Sequence, residues 1–123
     1  MVTINQAALT DFLSAKDDTP IVMLNLLRFD PDGGRQRHFE YLEMAAPILA
    51  RFGAKILFRG DGLPVLTDCD VKMWEAVLLV QYPSRAAFMA MVEDPDYQVA
   101  FQVGKSALVD IVLQPLKQTE VPG

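Results

Sequence analysis

The sequence predicts an α+β domain: one antiparallel four-stranded sheet, two helices on one of its faces, and an extra helix in front. Three observations carry that prediction. Short apolar runs and segments of helical periodicity follow the order β-α-β-β-α-β after the first helix. The joints hold turn and capping residues, "DPDGG" at 30–34 and Asp94-Pro95 among them. The chain has 123 residues, 51% hydrophobic and 22% charged, the size and composition of one globular domain over 1–123.

The elements follow in order. Residues 5–15 predict a short helix capped by Asn5, with Ala8, Leu9, Phe12 and Leu13 on one stripe; "KDDTP" ends it. Strand one is 20–29, "PIVMLNLLRF". A long helix over 35–52 repeats Phe39, Leu42, Ala46 and Leu49 at helical spacing, widened by Tyr41, Ala45, Ile48 and Phe52. Pro47 removes a backbone donor inside it, which predicts a kink. Gly53 suits the position just past its end. Strand two, 54–60, runs on towards Leu66, and "TDCD" at 67–70 is a turn. Strand three is 74–82. Ser84 caps a helix over 85–93, with Phe88, Met91 and Val92 facing inward. Asp94 and Pro95 then restart a helix that runs into strand four, 110–116. This order is the split-βαβ, ferredoxin-like arrangement.

Strands one and three break a rule. A sheet with helices on one side and water on the other should alternate apolar and polar. Strand one is apolar at Val22, Leu24 and Leu26 and again at Ile21, Met23 and Leu27; strand three at Val77 and Leu79 and again at Leu78 and Val80. The helix-free face must therefore be covered, partly by the N-terminal helix or wholly by the sheet of a second subunit. The second option predicts a homodimer with facing sheets.

Bulk properties exclude several classes. A net charge of −5 is wrong for a nucleic-acid binder. No apolar run approaches the roughly 20 residues that span a bilayer, and "MVTINQAALTDF" has no secretory pattern. A single cysteine, Cys69, forms no internal disulfide, so the expected compartment is the cytoplasm. Asp68-Cys69-Asp70 offers too few ligands for a metal, and "GDG" and "PDGG" match neither phosphate-loop fingerprint. No metal or cofactor is expected.

The strings "PIVMLNLLRF", "PDGGR" and "WEAVLLVQYPSRAAFMAMVEDPDYQ", in that element order, resemble the family called domain of unknown function 1330. The resemblance covers nearly the whole chain, and "YPSRAAFMAMVEDPDYQ" is its most specific part. It implies a ferredoxin-like fold and a dimeric α/β barrel in which two sheets close on each other. It brings no activity, since the family is named for lacking one. The wider superfamily, similar in fold only, includes cofactor-independent monooxygenases, haem-degrading enzymes, muconolactone isomerases, polyketide cyclases and plant stress proteins. Their pockets lie between sheet and helices. Haem enzymes of that superfamily carry a histidine on the second helix, where this chain has none. Many members of the family carry a basic residue near the end of that helix; this chain has Val103-Gly104 there, with Lys105 beside them.

Asn25, Arg28, His38, Tyr41, Trp74 and Tyr82 lead the candidates for chemistry. Asn25, a lone amide in an apolar run, either pins the strand through hydrogen bonds or acts as a pocket donor that orients a carbonyl or oxyanion. Arg28 matches the family string and, with Arg35, Arg37 and His38 near the start of the long helix, forms either a solvated rim or a small anion site. His38 is the one histidine, so imidazole acid–base catalysis must use it; otherwise it is a boundary residue. Tyr41, Trp74 and Tyr82 are pocket walls or packing residues, with the Tyr82 hydroxyl at a pocket mouth. Tyr97 is expected to pack the helix break. Two functions follow. One is a homodimer binding a small anionic or carbonyl-bearing organic molecule between sheet and helices, as a cofactor-independent isomerase or monooxygenase. The other is a non-catalytic binding or stress-type dimeric barrel, its interior filled by Met23, Met89, Met91 and Phe88.

Overall fold

The computed structural model describes residues 3–70 and 73–123. The elements are α1 (Gln6–Ser14), β1 (Ile21–Phe29), α2 (Gly34–Arg51), β2 (Lys55–Asp61), β3 (Ala76–Tyr82), α3 (Arg85–Glu93), α4 (Pro95–Ser106) and β4 (Leu108–Leu116). The strands form one antiparallel sheet in the order β2-β3-β1-β4, the ferredoxin-like topology, and this sheet is open.

The predicted caps are in place. Asn5 Oδ1 accepts from Ala8 N at 3.0 Å, Ser84 Oγ from Ala87 N at 3.0 Å, and Asp94 Oδ1 from both Asp96 N and Tyr97 N. Each such bond satisfies a helix-end donor and is worth about 1 kcal/mol. Gly53 ends α2 at φ 74°, in the left-handed region that glycine enters freely. Helix α2 is continuous through Pro47. Its buried stripe is Gly34, His38, Leu42, Ala45, Ile48 and Leu49. The stripe is thus turned by about one residue from the predicted one: Phe39 is 46% exposed, and His38 stands in the core-facing row instead.

Strand ends move for local reasons. β2 stops at Asp61, short of Leu66: Gly62 N still donates to Glu75 O, opposite it in register, but beyond that Pro64 has no donor to extend the ladder. Gly62 is required there, since a Cβ would lie 2.1 Å from Trp74 O. β3 begins at Ala76, so Trp74 precedes the strand and does not open it.

Side-chain parity divides the sheet. Ile21, Met23 and Leu27 of β1 and Leu78, Val80 and Tyr82 of β3 are buried under the helices. Helix α1 lies on that same side, with Phe12 edge-to-face on Phe88 of α3 at 6.0 Å and the Phe12 carbonyl accepting from Arg85 Nη1 at 3.0 Å. The N-terminal helix therefore does not cover the opposite face. There Val22, Leu24, Leu26, Val77, Leu79 and Val112 are only half-buried, and Phe58 is 54% exposed.

The helix-side core is in two parts. The larger joins Ile21 and Met23 to α2, α3 and α4; the smaller holds Leu27, Phe29 and Ala76. Along β1 the residue between Met23 and Leu27 that points to the helix side is Asn25.

Candidate functional site

Asn25 occupies the seam between the two clusters and stays half-buried although its strand is central. Its neighbours in register are buried Leu78 on β3 and Leu113 on β4, the latter 38% exposed. The helix side of the sheet is thus closed over β3 and open over β4. Nδ2 of Asn25 donates to Met23 O at 3.2 Å and Leu78 O at 3.4 Å. Its two protons are spent on backbone, so the expected donor to a carbonyl or oxyanion is already engaged. Oδ1 accepts no hydrogen bond among the described residues. The sealed side-chain polar atoms without partners there are His38 Nδ1 and Arg85 Nε, so Oδ1 is reachable from solvent.

His38 is 4% exposed, its ring 5.6 Å from that of Phe29 and 5.6 Å from that of Tyr41. It is a core residue and not the boundary residue its sequence neighbours suggest. Burial, helped by the nearby charge of Arg59, pushes its pKa down to about 4. The imidazole is therefore neutral at pH 7, and the burial that keeps it so also makes it a weaker base than an ordinary histidine. Its unpartnered Nδ1 costs about 1–3 kcal/mol.

Tyr41 extends from the next turn, and its hydroxyl lies 2.7 Å from that of Tyr97 on α4. Burial raises the pKa of both phenols. Helix α4 comes this close because it carries Gly104: a Cβ there would stand 2.8 Å from Tyr41 Cδ1. The place where the resemblance leads one to expect a basic residue is filled by the Tyr41 ring. The Tyr41–Tyr97 pair was invisible in the sequence, since the two residues lie 56 positions apart and nothing local marks the partnership.

The other candidates go elsewhere. Arg28 is three residues from Asn25, an odd number, and so points to the helix-free face. Its guanidinium lies 3.8 Å from the Trp74 ring centre, Nη1 pairs with Asp110 at 2.6 Å, and Nε donates to Met73 O at 3.2 Å. Arg28 and Trp74 thus form one stacked clamp, across the sheet from Asn25, His38 and Tyr41. Tyr82 is buried against Phe88 at 5.1 Å with its hydroxyl towards Met91 sulfur at 3.9 Å, which makes it core and not a pocket mouth. Arg37 ties the start of α2 to the end of α4, donating to Ser106 O at 2.8 Å and to Asp32 O at 2.6 Å. Arg35 pairs with Asp61 at 2.7 Å and lies over Phe29. The recess of about 500 Å³ at that corner holds Arg35 together with the carboxylates of Asp30 and Glu75, a mixed lining and no concentrated anion site. Among the described residues no helix is long and apolar enough to cross a membrane.

Comparisons with known proteins fit this architecture. A protein of unknown function from Rhodopseudomonas palustris is 28% identical, with 97% of each chain covered and a TM-score of 0.87. A dimeric ferredoxin-like protein of unknown function from Jannaschia sp. CCS1 is 14% identical over 80% of this chain and 99% of its own, TM-score 0.63. A putative antibiotic biosynthesis monooxygenase from Caulobacter crescentus CB15 is 16% identical over 84% and 92%, TM-score 0.58. The last two likenesses are of fold alone. A comparison with the curated proteins finds no match. The profile of the domain of unknown function DUF1330 matches residues 33–113, from the turn before α2 into β4. With its ferredoxin-like sheet, its capped α3–α4 break and this match, the chain belongs to the DUF1330 family.

Proposed function

We propose that the protein is a homodimer, packed through its helix-free sheet faces, that binds one small organic molecule per chain between the helix side of the sheet and α4. His38 serves there as a neutral base for a proton transfer of the isomerase type, with no metal. The observation that carries this reading is the exposure at Asn25: a half-buried amide in the central strand, flanked in register by Leu113, an apolar residue left 38% exposed on the helix side. An apolar space with one fixed polar group is the usual composition of a small-molecule site. The dimer is supported by six half-buried aliphatic residues on the helix-free face, a patch that water leaves uncompensated and a matching sheet would bury. Closing two open sheets on each other also gives the barrel.

A second reading, binding without turnover, draws on one feature. Tyr41 and Tyr97 satisfy each other, while Met23, Phe88 and Met91 are already buried in the core, so much of the interior is filled. Native mass spectrometry of the purified protein tests both halves of the proposal. A dimer carrying the mass of a small molecule is the expected result. A bare dimer that takes up nothing from a metabolite extract refutes the site, and a monomer at micromolar concentration refutes the dimer.

A further inference from the structure

The Asn25 amide fixes the hydrogen-bonding sense of its site. Both groups beside its Nδ2 are backbone carbonyls, Met23 O and Leu78 O, which only accept. The nitrogen end must therefore face them; a flipped amide would set oxygen against oxygen. Oδ1 is left as the free end, without a partner among the described residues and not sealed. Its neighbours on the helix side of the sheet are apolar: buried Leu78 on β3, and Leu113 and half-buried Ile111 on β4. Arg28 projects from the opposite face, and Arg59, whose charge His38 feels, stands on β2, two strands from Asn25, with its guanidinium over Phe39.

We propose that the ligand of this site is an uncharged, largely apolar molecule that donates a hydroxyl or N–H to Asn25 Oδ1. A carbonyl or carboxylate that accepts from the asparagine does not fit. This rests on the helix-side site proposed above. The polar contact then runs opposite to an oxyanion hole: asparagine accepts, and the ligand gives the proton of the hydrogen bond. A carbonyl in the same place would bring two acceptors together and leave both unpaired.

The test is an NMR titration of the full-length protein with four probes of similar size: phenol, anisole, cyclohexanone and benzoate. Phenol is expected to shift the Asn25 side-chain amide and the backbone amides of β1, β4 and α4. It should bind about fivefold more tightly than anisole, in which a methyl group replaces the donor proton. Cyclohexanone and benzoate should bind more weakly than phenol. In Asn25→Leu the preference for phenol over anisole should vanish while anisole still binds; should that variant not fold, the four-probe ranking on the natural protein decides alone. Anisole or cyclohexanone binding as tightly as phenol overturns the donor rule and leaves the site standing. Benzoate binding most tightly overturns the uncharged class. If no probe shifts those amides, the helix-side site falls and this inference falls with it.

Discussion

Acidification from pH 7 to below 4 should cost the native state about 3 kcal/mol through His38 alone. The unfolded imidazole titrates near 6.5, and the folded one near 4, because burial and Arg59 disfavour its charged form. At about 1.4 kcal/mol for each pH unit between those values, the difference integrates to about 3 kcal/mol. The sign follows from which state binds the proton. Between pH 6.5 and 4 the unfolded chain takes it and the folded chain does not, so protons favour unfolding. Stability is intact above 6.5, falls through that window, and levels off below 4. Asp17, held low chiefly by its hydrogen bond from Lys117, contributes stability that is lost only below the ordinary carboxylate value of 3.8, so the two windows are separate. The assay is urea unfolding followed by circular dichroism at fixed protein concentration, every half unit from pH 7.5 to 4.5, on the natural protein and on His38→Leu. The variant should lose most of the slope in that window. Equal slopes in the two proteins would refute the neutral, buried imidazole and remove His38 as a base.

Three other outcomes are expected. Gly104→Ala should lower the melting temperature by several degrees. Helix propensity favours alanine by about 1 kcal/mol, but a Cβ 2.8 Å from the Tyr41 ring overpacks the α2–α4 contact at a cost of about 1–3 kcal/mol; a rise in melting temperature would show the contact to be loose. Leu24→Lys places a charge in the centre of the helix-free face and should give a monomer by sedimentation velocity with its circular dichroism preserved; an undisturbed dimer would move the interface elsewhere. Arg28→Lys keeps the charge but loses the planar stack on Trp74 and the fork that reaches Asp110 and Met73 O together. It should destabilise the fold by about 1 kcal/mol in urea, whereas no change would make the clamp incidental.

The capped helices and the four strands were legible because their signals are local. Asn5, Ser84 and Asp94-Pro95 announce helix starts within three residues, and short apolar runs bounded by turn residues read as strands. Two-sided apolar strands showed that the helix-free face needed a cover. The place of α1 decided that this chain does not supply it: Phe12 meets Phe88 and Arg85 on the helix side.

The candidate site divided along the same line. The residue types were picked out from sequence: Asn25 in an apolar strand, His38 the lone imidazole, Arg28 in the family string. Their grouping was not, although part of it was calculable. Strand parity separates Asn25 from Arg28 by counting alone, but the eye joins residues that are close in sequence. The rotation of α2 that buries His38 and exposes Phe39 depends on how Gly34 and Gly104 let the helices approach their neighbours, since a Cβ at Gly34 would stand 2.4 Å from Ala107 O. The sense of the Asn25 amide depends on carbonyls of Met23 and of Leu78, the latter 53 positions away. By itself, then, the sequence determined the elements, their order and the need for a covered second face, because those rest on contacts within a few residues. Tertiary structure alone decided which polar groups share a side, which are already satisfied, and which atom of Asn25 is left to meet a ligand, because those rest on contacts between segments that only folding brings together.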